Sequence, residues 1–153
     1  MMVALTRRYR FSASHRLYNA ALTEEENARI YDKCANPYGH GHNYVLEVAL
    51  AGPIEPATGM VYDLEALDEL VGKEILERFD VSHLNTHRDL FDHLVPTTEN
   101  LCVTAFKLLK QKFAPGGRFL QVKLHRVRVE ETRSNFFECE DPVKGWVGKG
   151  KVS

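Results

Sequence analysis

Alternation of apolar and polar positions outlines most of this chain. From about Val3 to Ser14 the side chains alternate, with Tyr9 and Phe11 on one side and Arg8 and Arg10 on the other, the pattern of a half-buried strand. His15 follows directly. A second alternating run from His40 to Leu50 is rich in β-branched and aromatic residues and reads as a second strand. Between the two, Thr23 and Glu26 have capping-box spacing, so a short helix through about Ile30 is expected, as a lid or connector. Ala51 to Met60 is punctuated by glycines and prolines and reads as a loop. Asp63 can cap a helix whose Leu64, Leu67, Leu70, Val71 and Ile75 lie on one stripe and which should end near Phe79-Asp80.

Ser82 to Asp89 is polar and reads as a loop holding His83 and His87. A second long helix opens at Pro96-Thr97-Thr98-Glu99-Asn100, where the threonines can cap and Glu99 complements the positive end of the helix dipole. Leu101, Ala105, Leu108 and Leu109 make its apolar side, and Pro115-Gly116-Gly117 stops it. Two strands finish the chain, about Leu120 to Glu131 and Asn135 to Cys139. The alternation slips between Leu124 and Val127, which predicts a bulge near His125. The tail from Lys144 is Gly- and Lys-rich and reads as loose. The order strand, strand, helix, helix, strand, strand is α+β, and two helices can cover only one face of a four-stranded sheet. The bare face and edges predict an oligomer.

Composition narrows the class. With 153 residues and 44% hydrophobic content, residues 1–153 read as a single soluble domain with a real core. Twenty basic and twenty-one acidic side chains, interspersed, offer no broad basic face for nucleic acid. No apolar run approaches the roughly 20 residues that span a bilayer, and the N-terminus lacks signal-peptide features, so a cytoplasmic location is expected. Cys34, Cys102 and Cys139 are odd in number and scattered, which suits reduced thiols. Cys102 reads as helix packing, and Cys139 has no partner motif. His93, His125 and Trp146 suggest no mechanism.

The chemistry concentrates between Cys34 and Tyr44. On a strand, side chains two apart share a face, so His40 and His42 aim at one point with only Gly41 between them. Two converging neutral imidazoles suit a borderline cation such as zinc, and His15 is the best candidate for a third ligand if the two strands pair. Pro37-Tyr38-Gly39 is turn chemistry that folds Cys34 back towards the histidines. There it can be a cation-activated thiolate, one more ligand, or a buried small hydrophobe.

In order, Ser12-Ala13-Ser14-His15, Cys34 before His40-Gly41-His42-Asn43, Pro56-Ala57-Thr58-Gly59-Met60-Val61, Thr97-Thr98-Glu99-Asn100 and Glu131-Thr132 resemble the 6-pyruvoyl-tetrahydropterin synthase family. That family also contains the 6-carboxy-tetrahydropterin synthases of queuosine biosynthesis. The resemblance runs from about Tyr9 to Glu140. It implies the tunnelling fold (T-fold), in which trimers close their sheets into a β-barrel and stack as a homohexamer with active sites at subunit interfaces. It also implies a Zn2+ site of His15, His40 and His42, Cys34 as catalytic base, and Thr98 and Glu131 at the substrate, with Glu131 anchoring the pterin ring. Glu130 is the rival for that role, since strand alternation lets only one of the two face the pocket. The implied substrate is 7,8-dihydroneopterin triphosphate.

One departure stands out. The family's aspartate is usually followed at once by a relay histidine, but here Asp80 is followed by Val81. His83 is the favoured replacement, His87 the alternative, or the relay is impaired. The five residues between Cys34 and His40 resemble the pyruvoyl-forming type, a carbon–oxygen lyase, more than the carboxy-forming type, a carbon–carbon lyase. Two other classes fit the same residues: a pterin-binding zinc protein without turnover, and a zinc hydrolase that would not need Cys34. Ser12, Ser14, Arg16 and Lys33 can hold phosphate or be ordinary surface groups.

Overall fold

Two long strands, β1 (Val3–His15) and β2 (His40–Gly52), pair antiparallel along their whole length, so that His15 stands opposite His40 and Val3 opposite Gly52. The computed structural model describes residues 1–141; the tail from Lys144, with Trp146, lies outside the described residues. Between these strands the helix α1 (Glu24–Tyr31) carries the expected capping box, with Thr23 and Glu26 exchanging side-chain and backbone hydrogen bonds. β4 (Lys123–Glu130) pairs with β2, and β5 (Phe136–Glu140) with β4, both antiparallel. The predicted bulge is present: Ala49 faces Arg126 and Leu50 faces Leu124, which makes His125 the extra residue.

Three boundaries differ from the sequence reading. The polar segment after Asp80 is not all loop: β3 (Ser82–His83) pairs parallel with β1, followed by the short helix α4 (Arg88–Phe91). The sheet therefore has five strands, in the order β3-β1-β2-β4-β5. A two-residue strand has no period to detect, and it is held by tertiary hydrogen bonds, from Val81 N–H to the Ser12 carbonyl (2.7 Å) and from Ser12 N–H to Asp80 Oδ1 (2.9 Å). Ala51 and Gly52 belong to β2, and Gly52 marks a close approach: a Cβ there would meet Val122 Cγ2 at 2.8 Å. β4 begins at Lys123 because a tight turn occupies Gly117–Phe119.

The helices cover one face. Asp63 caps α2 (Leu64–Val71), which runs on through a π turn (Gly72–Leu76) into α3 (Glu77–Phe79). Leu67, Val71, Ile75 and Phe79 are fully buried and recur at every fourth position. In a pure α-helix such a stripe drifts by about 40° per step. The wider π turn takes up that drift and keeps all four on the sheet. α5 (Thr98–Lys112) lies beside it and buries Leu101, Cys102, Ala105 and Leu109 against Val127 and Val129 of β4. Each large apolar side chain so buried contributes about 1.5–3 kcal/mol. The opposite face carries charges, with Glu47 within 3.4–3.9 Å of Arg8, Arg126 and Arg128. No helix among the described residues is long and apolar enough to cross a membrane.

Candidate metal centre

The register of β1 and β2 assembles the site. Phe11, Ala13 and His15 point to the helix-covered face, and their Cα partners are Tyr44, His42 and His40. Three imidazoles thus meet at the end of two paired strands, with ring centroids 4.6–5.2 Å apart. One ligand atom from each lies within 4.8 Å of the others, so His15, His40 and His42 can hold a metal ion.

Hydrogen bonding sets the state of these rings. His15 Nδ1 donates to the carbonyl oxygen of Pro96 (2.8 Å), which leaves a lone pair on Nε2. That Nε2 lies 3.0 Å from His40 Nε2. His42 Nε2 is buried without a hydrogen-bond partner among the described residues, and Glu131 Oε1 is 3.5 Å away. Burial lowers the pKa of His15, and the neighbouring imidazoles add to this against the opposing Pro96 hydrogen bond. Burial followed by His42 lowers that of His40. Burial thus favours the neutral form of His15 and His40, the form in which an imidazole can bind a cation.

The chain between the strands brings Cys34 to the same place. A tight turn spans Asp32–Ala35, Leu17 N–H donates to the Cys34 carbonyl (2.8 Å) and Arg16 Nε to that of Ala35 (2.9 Å). Gly39 closes the turn at φ +69°, where a Cβ would stand 2.7 Å from the His15 carbonyl oxygen. Cys34, His15, His40, His42, Thr98 and Glu131 line one cavity of about 290 Å³. Burial, then the charges of Glu131 and Asp32, push the Cys34 thiol above its ordinary pKa. Glu131 sits just past the end of β4 and accepts a 2.5 Å hydrogen bond from the Thr98 hydroxyl, whereas Glu130 turns away to Arg128 (3.6 Å). Thr97 alone caps α5, by accepting from Asn100 N–H.

Asp80 and His83 are not brought to this cavity within one chain. His83 Nδ1 shares a 2.8 Å hydrogen bond with Ser14 Oγ, on the opposite face of β1 from His15. There His83 and Val81, with Ser12 and Ser14, line a second hollow of about 530 Å³, which His42 also borders. Asp80 is engaged by Ser12 N–H, and His87 reaches Ser82 Oγ (3.2 Å) with its ring edge-on to Phe79. The sequence reading missed two neighbours of the centre. The Pro96 carbonyl has no side-chain signal, and Phe137, which lines the cavity, was legible only as one position of an alternating strand.

A sheet with helices on one face and three histidines converging at the ends of its first two strands defines a T-fold protein. The sequence profile of the 6-pyruvoyl tetrahydropterin synthase family matches residues 4–142. Human 6-pyruvoyl tetrahydrobiopterin synthase is 43% identical over 131 residues, 86% of each chain. The Drosophila melanogaster enzyme of the same name is 36% identical over 138 residues, 90% of this chain and 79% of that one. The solved Caenorhabditis elegans 6-pyruvoyl tetrahydropterin synthase superposes with a TM-score of 0.83 at 35% identity, over 93% of this chain and 97% of that one. The chain belongs to the 6-pyruvoyl tetrahydropterin synthase family.

Proposed function

We propose that this chain is a Zn2+-dependent enzyme that converts 7,8-dihydroneopterin triphosphate, with loss of triphosphate, to the 6-pyruvoyl product. The observation that carries the reading is the convergence of three histidines, a cysteine and a carboxylate on one cavity. Two nitrogens on a tetrahedral zinc with bonds of about 2.0–2.1 Å stand about 3.3 Å apart. The 3.0 Å between His15 and His40 Nε2 is close to that spacing, and the buried His42 Nε2, without a hydrogen-bond partner among the described residues, is left for a third bond. When bound, the ion supplies Lewis acidity that polarises the oxygens of the substrate side chain.

The protein groups do the rest. Glu131 accepts hydrogen bonds from the amino and ring N–H groups of the pterin and fixes the reacting carbon, while the Thr98 hydroxyl holds the carboxylate in place. Cys34 takes the carbon-bound proton as general base. Burial, Glu131 and Asp32 raise its thiol pKa in the metal-free chain, and the positive charge of a cation at the triad would oppose this and favour the reactive thiolate. Asp80 and His83 serve as the proton relay across a subunit boundary. What supports this is that neither lines the cavity that holds Cys34 in its own chain. A homohexamer built as a dimer of trimers, with the charged sheet faces lining a barrel, provides such boundaries; a cytoplasmic location fits the reduced thiols.

The experiment is a product assay by mass spectrometry, with zinc-loaded protein and dihydroneopterin triphosphate under anaerobic conditions. A 6-pyruvoyl product supports the reading. 6-Carboxy-tetrahydropterin with acetaldehyde transfers the chain to the carboxy-forming branch, whose Rickettsia conorii member is 40% identical over 88 residues. Unchanged substrate means that Val81 in place of the relay histidine has cost this reaction. Cys34→Ala should retain zinc and lose turnover; an undiminished rate refutes its role as base.

A further inference from the structure

Cys102 and Cys139 lie 37 positions apart in sequence, but α5 and β5 bring their sulfurs to 3.7 Å. Both are free thiols. Cys102 is buried in the helix and Cys139, on the strand, is partly exposed. The pair is built into the interface between the two elements. Cys102 Sγ lies 3.3 Å from the Phe137 carbonyl oxygen and 3.5 Å from that of Val127, and Cys139 Sγ lies 3.6 Å from the Cys102 carbonyl oxygen.

We propose that Cys102 and Cys139 form a reversible oxidation site, at which a hydroperoxide converts the two thiols to a disulfide that staples α5 to β5. An S–S bond is about 2.05 Å long. The sulfurs therefore have about 1.7 Å to close from their 3.7 Å separation, a movement of side-chain torsions within packed elements.

The roles divide by exposure. Cys139 is the more exposed of the two residues, and the hydrogen bond from the Cys102 thiol lowers its pKa while the same bond and burial raise that of Cys102. The Cys139 thiolate attacks one peroxide oxygen: an S–O bond forms, the O–O bond breaks, and the departing hydroxide takes up the thiol's proton as water. The Cys102 sulfur then attacks Cys139 sulfur: the S–S bond forms, the S–O bond breaks, and hydroxide leaves with the Cys102 proton as a second water. The two sulfurs lose two electrons and the peroxide is reduced to water. A dithiol reverses the step.

The staple lies beneath the cavity. Cys102 is one helical turn beyond Thr98, and Cys139 is two residues beyond Phe137 on the same strand face. Oxidation therefore fixes two cavity-lining elements to one another. It does so whatever reaction the cavity performs.

The test is a titration of the reduced full-length protein with hydrogen peroxide, quenched by alkylation and read by intact mass and non-reducing peptide mapping. The expected species has lost the mass of two hydrogens, carries one cross-linked peptide pair containing Cys102 and Cys139, and returns to the reduced mass with dithiothreitol. Closing this loop should also raise Tm under non-reducing conditions by roughly 8–15 °C. The cross-link should persist in Cys34→Ala and vanish in Cys139→Ala. Cys139 that stops at the sulfinic acid, with Cys102 still open to alkylation after unfolding, overturns the proposal. So does a cross-link made only through Cys34.

Discussion

Replacing Gly39 by alanine tests whether the turn before β2 holds the histidines in place. Gly39 has φ +69°, a conformation that costs an L side chain about 1–2 kcal/mol. The added Cβ would also stand 2.7 Å from the His15 carbonyl oxygen, so either the turn or the end of β1 must move. Alanine recovers about 0.4–1 kcal/mol by stiffening the unfolded chain. The net cost should be about 1–3 kcal/mol, or a fall in Tm of roughly 3–10 °C at this chain length. The displaced group is the backbone of one of the three histidines that can hold a metal ion, so if they bind zinc as proposed its affinity should fall tenfold or more, at about 1.4 kcal/mol per decade. Gly41→Ala is the matched control, because a Cβ there meets its nearest atom at an ordinary 3.6 Å. Thermal melts of the metal-free proteins and competition with a chelating dye measure both effects. If Gly39→Ala behaves like Gly41→Ala in both, the turn does not position the centre.

Other outcomes follow from the same geometry. Val81, a β-branched residue at φ +53° that is 89% exposed, stores strain. Val81→Gly should raise the Tm of the protomer by about 1–4 °C, and an unchanged or lower Tm refutes the strain. The lowered pKa values of His15 and His40 mean that the folded, metal-free chain resists protonation more than the unfolded chain does. Their contribution to stability is present above the ordinary value of 6.5 and is lost as the pH falls through the lowered folded values. Urea unfolding of the metal-free protein should accordingly show lower stability at acidic than at neutral pH, and a flat or inverted profile contradicts it. Glu131→Gln should weaken pterin binding tenfold or more, by about 1.5–3 kcal/mol for hydrogen bonds to a charged acceptor, and Thr98→Val by less. Fluorescence titration measures both, and wild-type affinity in Glu131→Gln removes the anchor role.

Much of the centre was legible because it is local. His40 and His42 share a face by strand alternation, and His15 ends an adjacent alternating run, so pairing the runs is enough to bring all three together. The turn residues Pro37 to Gly39 pointed Cys34 inward for the same reason. β3 was not legible, since two residues carry no period and the hydrogen bonds that fix Asp80 and Val81 just before it come from Ser12, nearly seventy positions earlier. Ala51 and Gly52 were misread because glycine serves both as a loop residue and as the only residue that fits against Val122.

The sequence by itself therefore determined the four long strands and the two long helices between them, the capping residues, the bulge at His125 and the three histidines, all of which follow from side-chain period and backbone stereochemistry within a few residues. The tertiary structure decided what depends on distant segments meeting. It placed Glu131 rather than Glu130 at the cavity, set the Pro96 carbonyl behind His15, kept Asp80 and His83 out of that cavity, and brought Cys102 beside Cys139. Those contacts are fixed by how helices and strands pack across the sheet, and no local pattern along the chain records that packing.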